Sequence, residues 1–153
     1  MDTSETYIKM CDCPEIQRLR GDGLWQNGDC YTCIVSGGRR FTAWWTDTED
    51  EPPQMYHPVW LPRQDQLQEM VDGDDIDKRN RLMSFDYALS NSSNPVDWHI
   101  RYSMEQLWLA FVMKEKYNKV WANNEWRNGS EPLGTRTPDT LIKSQVLYSK
   151  YPA

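Results

Sequence analysis

Histidine is nearly missing from this chain: His57 and His99 are the only two, and neither stands in a spaced metal motif. That excludes the paired-histidine helix of the zinc hydrolases and leaves each imidazole a structural reading. A Gly-rich phosphate loop and a nucleophile elbow are lacking as well, because Gly21-Asp22-Gly23 is too short to form either. The sequence therefore points away from an enzyme. No apolar run approaches the roughly 20 residues that span a bilayer, and Met1 to Met10 lacks the basic start and apolar stretch of a secretory signal. No membrane association and a cytoplasmic location are expected. Positive charge is also in deficit, with 17 Lys and Arg against 23 Asp and Glu and a net charge of −6. Direct attraction to nucleic-acid phosphate depends on Lys and Arg displacing counterions, so a basic protein partner is the better expectation.

Aromatic residues are plentiful instead. Eight Trp, eight Tyr and three Phe in 153 residues supply large surfaces to bury, so the segment from Tyr7 to Trp126 should fold as one domain. Pro14 precedes Glu15-Ile16-Gln17-Arg18-Leu19, the order of a short helix with proline in its first turn, and Gly21 and Gly23 would stop it. Asp29–Val35 and Arg40–Thr46 are rich in β-branched and aromatic residues and flank Ser36-Gly37-Gly38, which predicts a hairpin. Val59-Trp60-Leu61 reads as a short strand, and Pro62 opens a helix through Val71 that Gly73 ends. A helix over Lys78–Leu89 places Leu82, Phe85 and Leu89 on one face, and Ser90 to Pro95 is a loop. Ser103 caps a further helix, with Gln106 reaching back in a capping box and Met104, Leu107, Trp108, Phe111 and Val112 in one apolar stripe. Val120-Trp121 and Glu125-Trp126 flank Ala122-Asn123-Asn124, a small terminal hairpin. The fold class is α+β: a small antiparallel sheet packed with three to four helices over residues 1–128, followed by an irregular tail over 129–153.

Two acidic clusters stand out, Asp47-Thr48-Glu49-Asp50-Glu51 and Asp72-Gly73-Asp74-Asp75-Ile76-Asp77. Both lie beside loop-forming residues, where acid is ordinarily solvated. The second does not read as a calcium loop, because Ile76 occupies a ligand position. The first follows Trp44-Trp45, and strand alternation should leave one of these indoles outside. Trp44, Trp45, Asp47, Glu49, Asp50 and Glu51 are therefore the candidate partner-binding residues. Four thiols, Cys11 and Cys13 with Cys30 and Cys33, form a candidate zinc set, although C-x-C is an unusual first half. Reduced, buried cysteines without a cofactor are the ordinary alternative.

Three segments, Tyr7 to Gln17, Val59 to Met70 and Ser103 to Trp126, resemble a family of short, mostly uncharacterised proteins of phages and prophages of Gram-positive bacteria. The tail resembles a transfer-RNA gene read on its antisense strand. Gly134-Thr135-Arg136-Thr137 can be written GGG-ACT-CGA-ACC, which contains the reverse complement of a common T-arm sequence. Phages integrate at such genes. The resemblance implies a phage accessory protein in a bacterial host cell and carries over no catalytic residue. Its expected mode is binding to a host protein with a basic surface, such as a nucleic-acid enzyme, as an inhibitor of a defence nuclease of the anti-CRISPR kind. The alternative is a small zinc or nucleic-acid-binding module in phage DNA or RNA metabolism.

Overall fold

The computed structural model describes residues 1–20, 25–35, 37–46, 57–91 and 102–129. The glycines at 37 and 38 hold φ of 86° and 75°, values a β-carbon disfavours, and they turn β1 (Cys30–Val35) back into β2 (Arg39–Trp44). β3 (Val59–Leu61) pairs with the other side of β1, giving an antiparallel sheet of order β2-β1-β3. The registers are Cys30 opposite Trp44 and Leu61, and Tyr31 opposite Ala43 and Trp60. A second sheet, β4 (Lys119–Ala122) with β5 (Glu125–Asn128), turns on Asn123 and Asn124 at φ of 52° and 62°, as the asparagines predict.

Five helices are described, which with the two small antiparallel sheets makes an α+β fold. α1 (Glu5–Cys11) is a helix that the sequence reading does not anticipate; Ser4 caps it by accepting from the Tyr7 N–H at 3.2 Å. α2 (Pro14–Leu19) starts on its proline as expected. α3 (Gln64–Glu69) starts two residues after Pro62, because Arg63 stays extended and its N–H donates to Gln66 Oε1 at 2.9 Å. α4 (Asp75–Asn91) starts earlier than Lys78, since Asp74 Oδ1 accepts from the Asp77 N–H at 2.8 Å. Asp75 and Asp77 sit in the positive first turn of that helix, so much of the second acidic cluster is a helix start.

α5 (Met104–Tyr117) is the core helix, with Trp108, Leu109, Ala110, Phe111, Val112 and Met113 all buried. Met104, assigned to its apolar stripe from sequence, is exposed. Ser103 Oγ does cap, accepting from the Gln106 N–H at 3.2 Å, but the Gln106 side chain does not reach back to close a capping box. It donates to Asp2 Oδ2 at 2.6 Å and Ser4 Oγ at 3.0 Å, tying the start of α5 to the start of α1. Burial works against the Asp2 carboxylate, yet hydrogen bonds from Ser103, Ser4 and Gln106 outweigh it and hold the pKa below the usual range. The glycines at 21 and 23, the loop after Ser90, and the tail beyond Gly129 lie outside the described residues.

Candidate functional site

The segments Tyr7 to Gln17, Val59 to Met70 and Ser103 to Trp126 meet at one junction. The Tyr7 hydroxyl, buried on α1, donates to the Pro62 carbonyl at 2.5 Å. Gln17 on α2 spans a strand: its Oε1 accepts from the Trp60 N–H at 2.9 Å, and its Nε2 donates to the carbonyls of Trp60 at 3.0 Å and Cys11 at 2.8 Å. Trp126 Nε1 on β5 donates to the Met10 carbonyl at 2.9 Å, and Lys119 on β4 pairs with Glu15. These contacts bind α1, α2, β3 and the second sheet together. None of the groups is left to act on a substrate.

Beside this junction lies a cavity of about 210 Å³, lined in part by Arg20, Asp29, Trp60, Gln66 and Glu69. Asp29 is 1 % exposed, and its carboxylate accepts from the Gln26 N–H at 2.8 Å, Gln66 Nε2 at 2.7 Å and Trp60 Nε1 at 3.3 Å. Three donors satisfy a buried carboxylate and pin β1, β3 and α3 to one another. Arg63 Nη1 adds a bond to the Gly28 carbonyl at 2.5 Å.

The four cysteines are all buried free thiols. Burial pushes the Cys11 thiol well up, with Cys13 adding to it, and burial raises Cys13 to about 12. Cys30 and Cys33 are an odd number of residues apart on a regular strand, so their side chains leave opposite faces of the sheet. The structure therefore does not bring all four thiols of the candidate zinc set to one point. Among the described residues, no group of three or more His, Cys, Asp or Glu side chains converges as a metal would require.

The remaining candidate is the outer edge of β2. Trp45 N–H donates to the Asp29 carbonyl at 2.7 Å, which sets the phase of the ladder. The backbones of Arg39, Phe41 and Ala43 then face β1, whereas the N–H and C=O groups of Arg40, Thr42 and Trp44 point outward. Among the described residues these outward groups have no backbone partner. Large apolar side chains accompany them: Ile34 is 54 % exposed, and Phe41 and Trp44 are each 48 % exposed. Trp44 rises from the same face as Cys30 and Thr32, whereas Phe41 stands on the other face with its ring 6.4 Å from Tyr31. Trp45 is partly buried and packs against the core with its Nε1 buried, so of the two candidate indoles Trp44 is the exposed one. The expected alternation holds. Asp47, Glu49, Asp50 and Glu51 lie outside the described residues.

Two features of the site escape sequence reasoning. The polarity of Gln17 carries no sign that both ends of its amide close a strand, and the openness of β2 depends on which strand lies beside it. In membrane terms, no helix among the described residues is long and apolar enough to cross a bilayer. Comparison with protein-family models, curated proteins and solved structures finds no match.

Proposed function

We propose that this chain is a phage- or prophage-encoded accessory protein that acts by binding a host protein. Its contact surface is Trp44 on β2 together with Asp47, Glu49, Asp50 and Glu51, which follow directly in the sequence. The observation that carries this reading is the exposure of Trp44, at 48 %, on a strand edge that no described element covers. An indole offers large area at little entropic cost, and aromatic residues dominate the energetic centres of protein interfaces. Clustered carboxylates beside such an anchor favour a partner with a basic surface, and a net charge of −6 speeds the encounter. Basic channels that hold nucleic acid are surfaces of this kind, and the partner in this reading is a nucleic-acid enzyme of host defence. The acidic run supplies charge of the sign that phosphates carry, and the effect is inhibition of the anti-CRISPR type.

The test is cleavage of DNA by purified host defence nucleases with the protein added at low salt. Inhibition is expected, with affinity falling steeply as salt rises. The combined substitution Asp47→Asn, Glu49→Gln, Asp50→Asn and Glu51→Gln should weaken it about tenfold or more, at roughly 0.5 kcal/mol per rim charge, without lowering the melting temperature. Equal inhibition by parent and variant at low salt would remove the acidic segment from the contact.

A further inference from the structure

The two edges of the main sheet are treated differently. Along β3, the outward N–H and C=O of Trp60 are both taken by the Gln17 amide, and the next carbonyl, Pro62, is taken by the Tyr7 hydroxyl. Along β2, the corresponding groups of Arg40, Thr42 and Trp44 meet no described partner. An open edge of this kind is a template for another strand.

From the sequence of that edge we infer that its occupant is β2 of a second copy of this chain, related by a two-fold axis at Thr42. In an antiparallel pair about a two-fold axis perpendicular to the sheet, residues opposite one another must share a face. Centring the axis on Thr42 places Thr42 opposite its own copy, Arg40 opposite Trp44 and Phe41 opposite Ala43. The three residues whose backbones point outward, Arg40, Thr42 and Trp44, then exchange about six hydrogen bonds among themselves.

The side chains fit the same register. Arg40 and Trp44 leave the same face of β2, and both are exposed. Opposed across the axis, they give two guanidinium–indole pairs, which cover the Trp44 ring and separate the arginines of the two copies. Arg40 also senses a carboxylate on its own chain, since it pulls against the rise that burial produces in the pKa of Asp12. On the other face, the exposed Phe41 ring meets the small Ala43. The neighbouring in-face register, centred on Phe41, sets Phe41 against itself and Trp44 against Gly38, so both indole pairings are lost. Charged residues on an edge ordinarily deter pairing. Here the two-fold register gives the charge an aromatic face to meet.

The inference goes beyond host-protein binding: the second copy takes the same Trp44 and the same edge, so self-pairing and the host contact exclude one another, and the test does not need a host partner. The purified full chain, with no partner present, is expected to show twice the chain mass by light scattering after size exclusion at tens of micromolar. Thr42→Pro removes one outward N–H and no backbone bond to β1, losing only the 3.3 Å bond from the Thr42 hydroxyl to Thr32, so it should give a monomer with a cooperative melt. Trp44→Lys, an exposed change that sets lysine against Arg40 of the other copy, should give the same monomer if the proline variant folds poorly. Thr42→Cys should form an intermolecular disulfide under mild oxidation, because the opposed Cα atoms lie about 5.5 Å apart, whereas Phe41→Cys should not. The quadruple acidic variant should stay dimeric even if it loses its host partner. A monomer at every concentration overturns the inference and leaves the edge to a strand of the host protein. A dimer that survives both Thr42→Pro and Trp44→Lys, or that cross-links through Phe41→Cys instead, overturns it as well.

Discussion

One sheet, two edges: β3 ends against helices and β2 ends in solvent among the described residues. At β3 the chain sets two hydrogen bonds of a single glutamine and the hydroxyl of a buried tyrosine against one short strand, with α1 packed beside it. At β2 it leaves a longer strand with both faces half exposed. Burial of unpaired backbone groups is costly, so a strand is either covered thoroughly or left where water or a partner can reach it. The difference teaches where to look for function. The covered edge supplies stability, and the uncovered one is free to recognise.

The comparison breaks first at the covered edge. Gln17→Leu keeps the bulk of the side chain but strips the side-chain partner from the Trp60 N–H and from the Trp60 carbonyl, while the Cys11 carbonyl keeps the Cys13 N–H. A cost of about 2–4 kcal/mol is expected, from roughly 1–3 kcal/mol per buried group left unpaired, and thermal melting reads it directly. A melting temperature within a degree of the parent would show that Gln17 does not close the edge.

A second, smaller effect sharpens the same contrast through pH. The thiols of Cys11 and Cys13 sit beside the covered edge with pKa values raised by burial above that of a free thiol, Cys13 to about 12. Folded-state values above the unfolded value mean that their contribution is complete below pH 9 and is lost as pH climbs from there toward the folded values. Stability should fall between pH 9 and 11, each such thiol adding up to about 1.4 kcal/mol per pH unit. Cys13→Ala should flatten that slope in urea titrations at successive pH values.

The smallest effect belongs to the open edge. Trp44→Ala removes an exposed indole that the monomer does not need, so the unfolding free energy of monomeric protein should change by less than about 0.5 kcal/mol, as surface positions do. A loss of several kcal/mol would mean that Trp44 is core after all.

Much of this contrast was legible before the structure. Glycines at 37 and 38 announced the β1–β2 hairpin and the paired asparagines the β4–β5 hairpin, because positive φ is a local demand met by few residues. Alternation along β2 separated Trp44 from Trp45 by parity alone. The same parity places Cys30 and Cys33 on opposite faces, a signal present in their spacing. α1 was harder to see: its apolar positions Tyr7, Ile8 and Cys11 follow helical spacing, but the helix is too short for the pattern to stand out. Gln106 was read as half of a capping box, whereas a partner more than a hundred residues away, Asp2, claims its amide. Gln17 was likewise just a polar residue on a short helix. Long-range hydrogen bonds leave no periodic trace, so the residues that close one edge were the least readable part of the fold.

Gln17 has a further consequence for how copies of the chain add up. Its side-chain amide turns one N–H and its C=O to Trp60 in the geometry of a peptide unit, so it serves β3 as a strand one residue long. A sheet closed on one side in this way has a valence of one. Whatever strand joins β2, no second can join at β3, so growth by edge pairing terminates after a single step and cannot run on into a fibre.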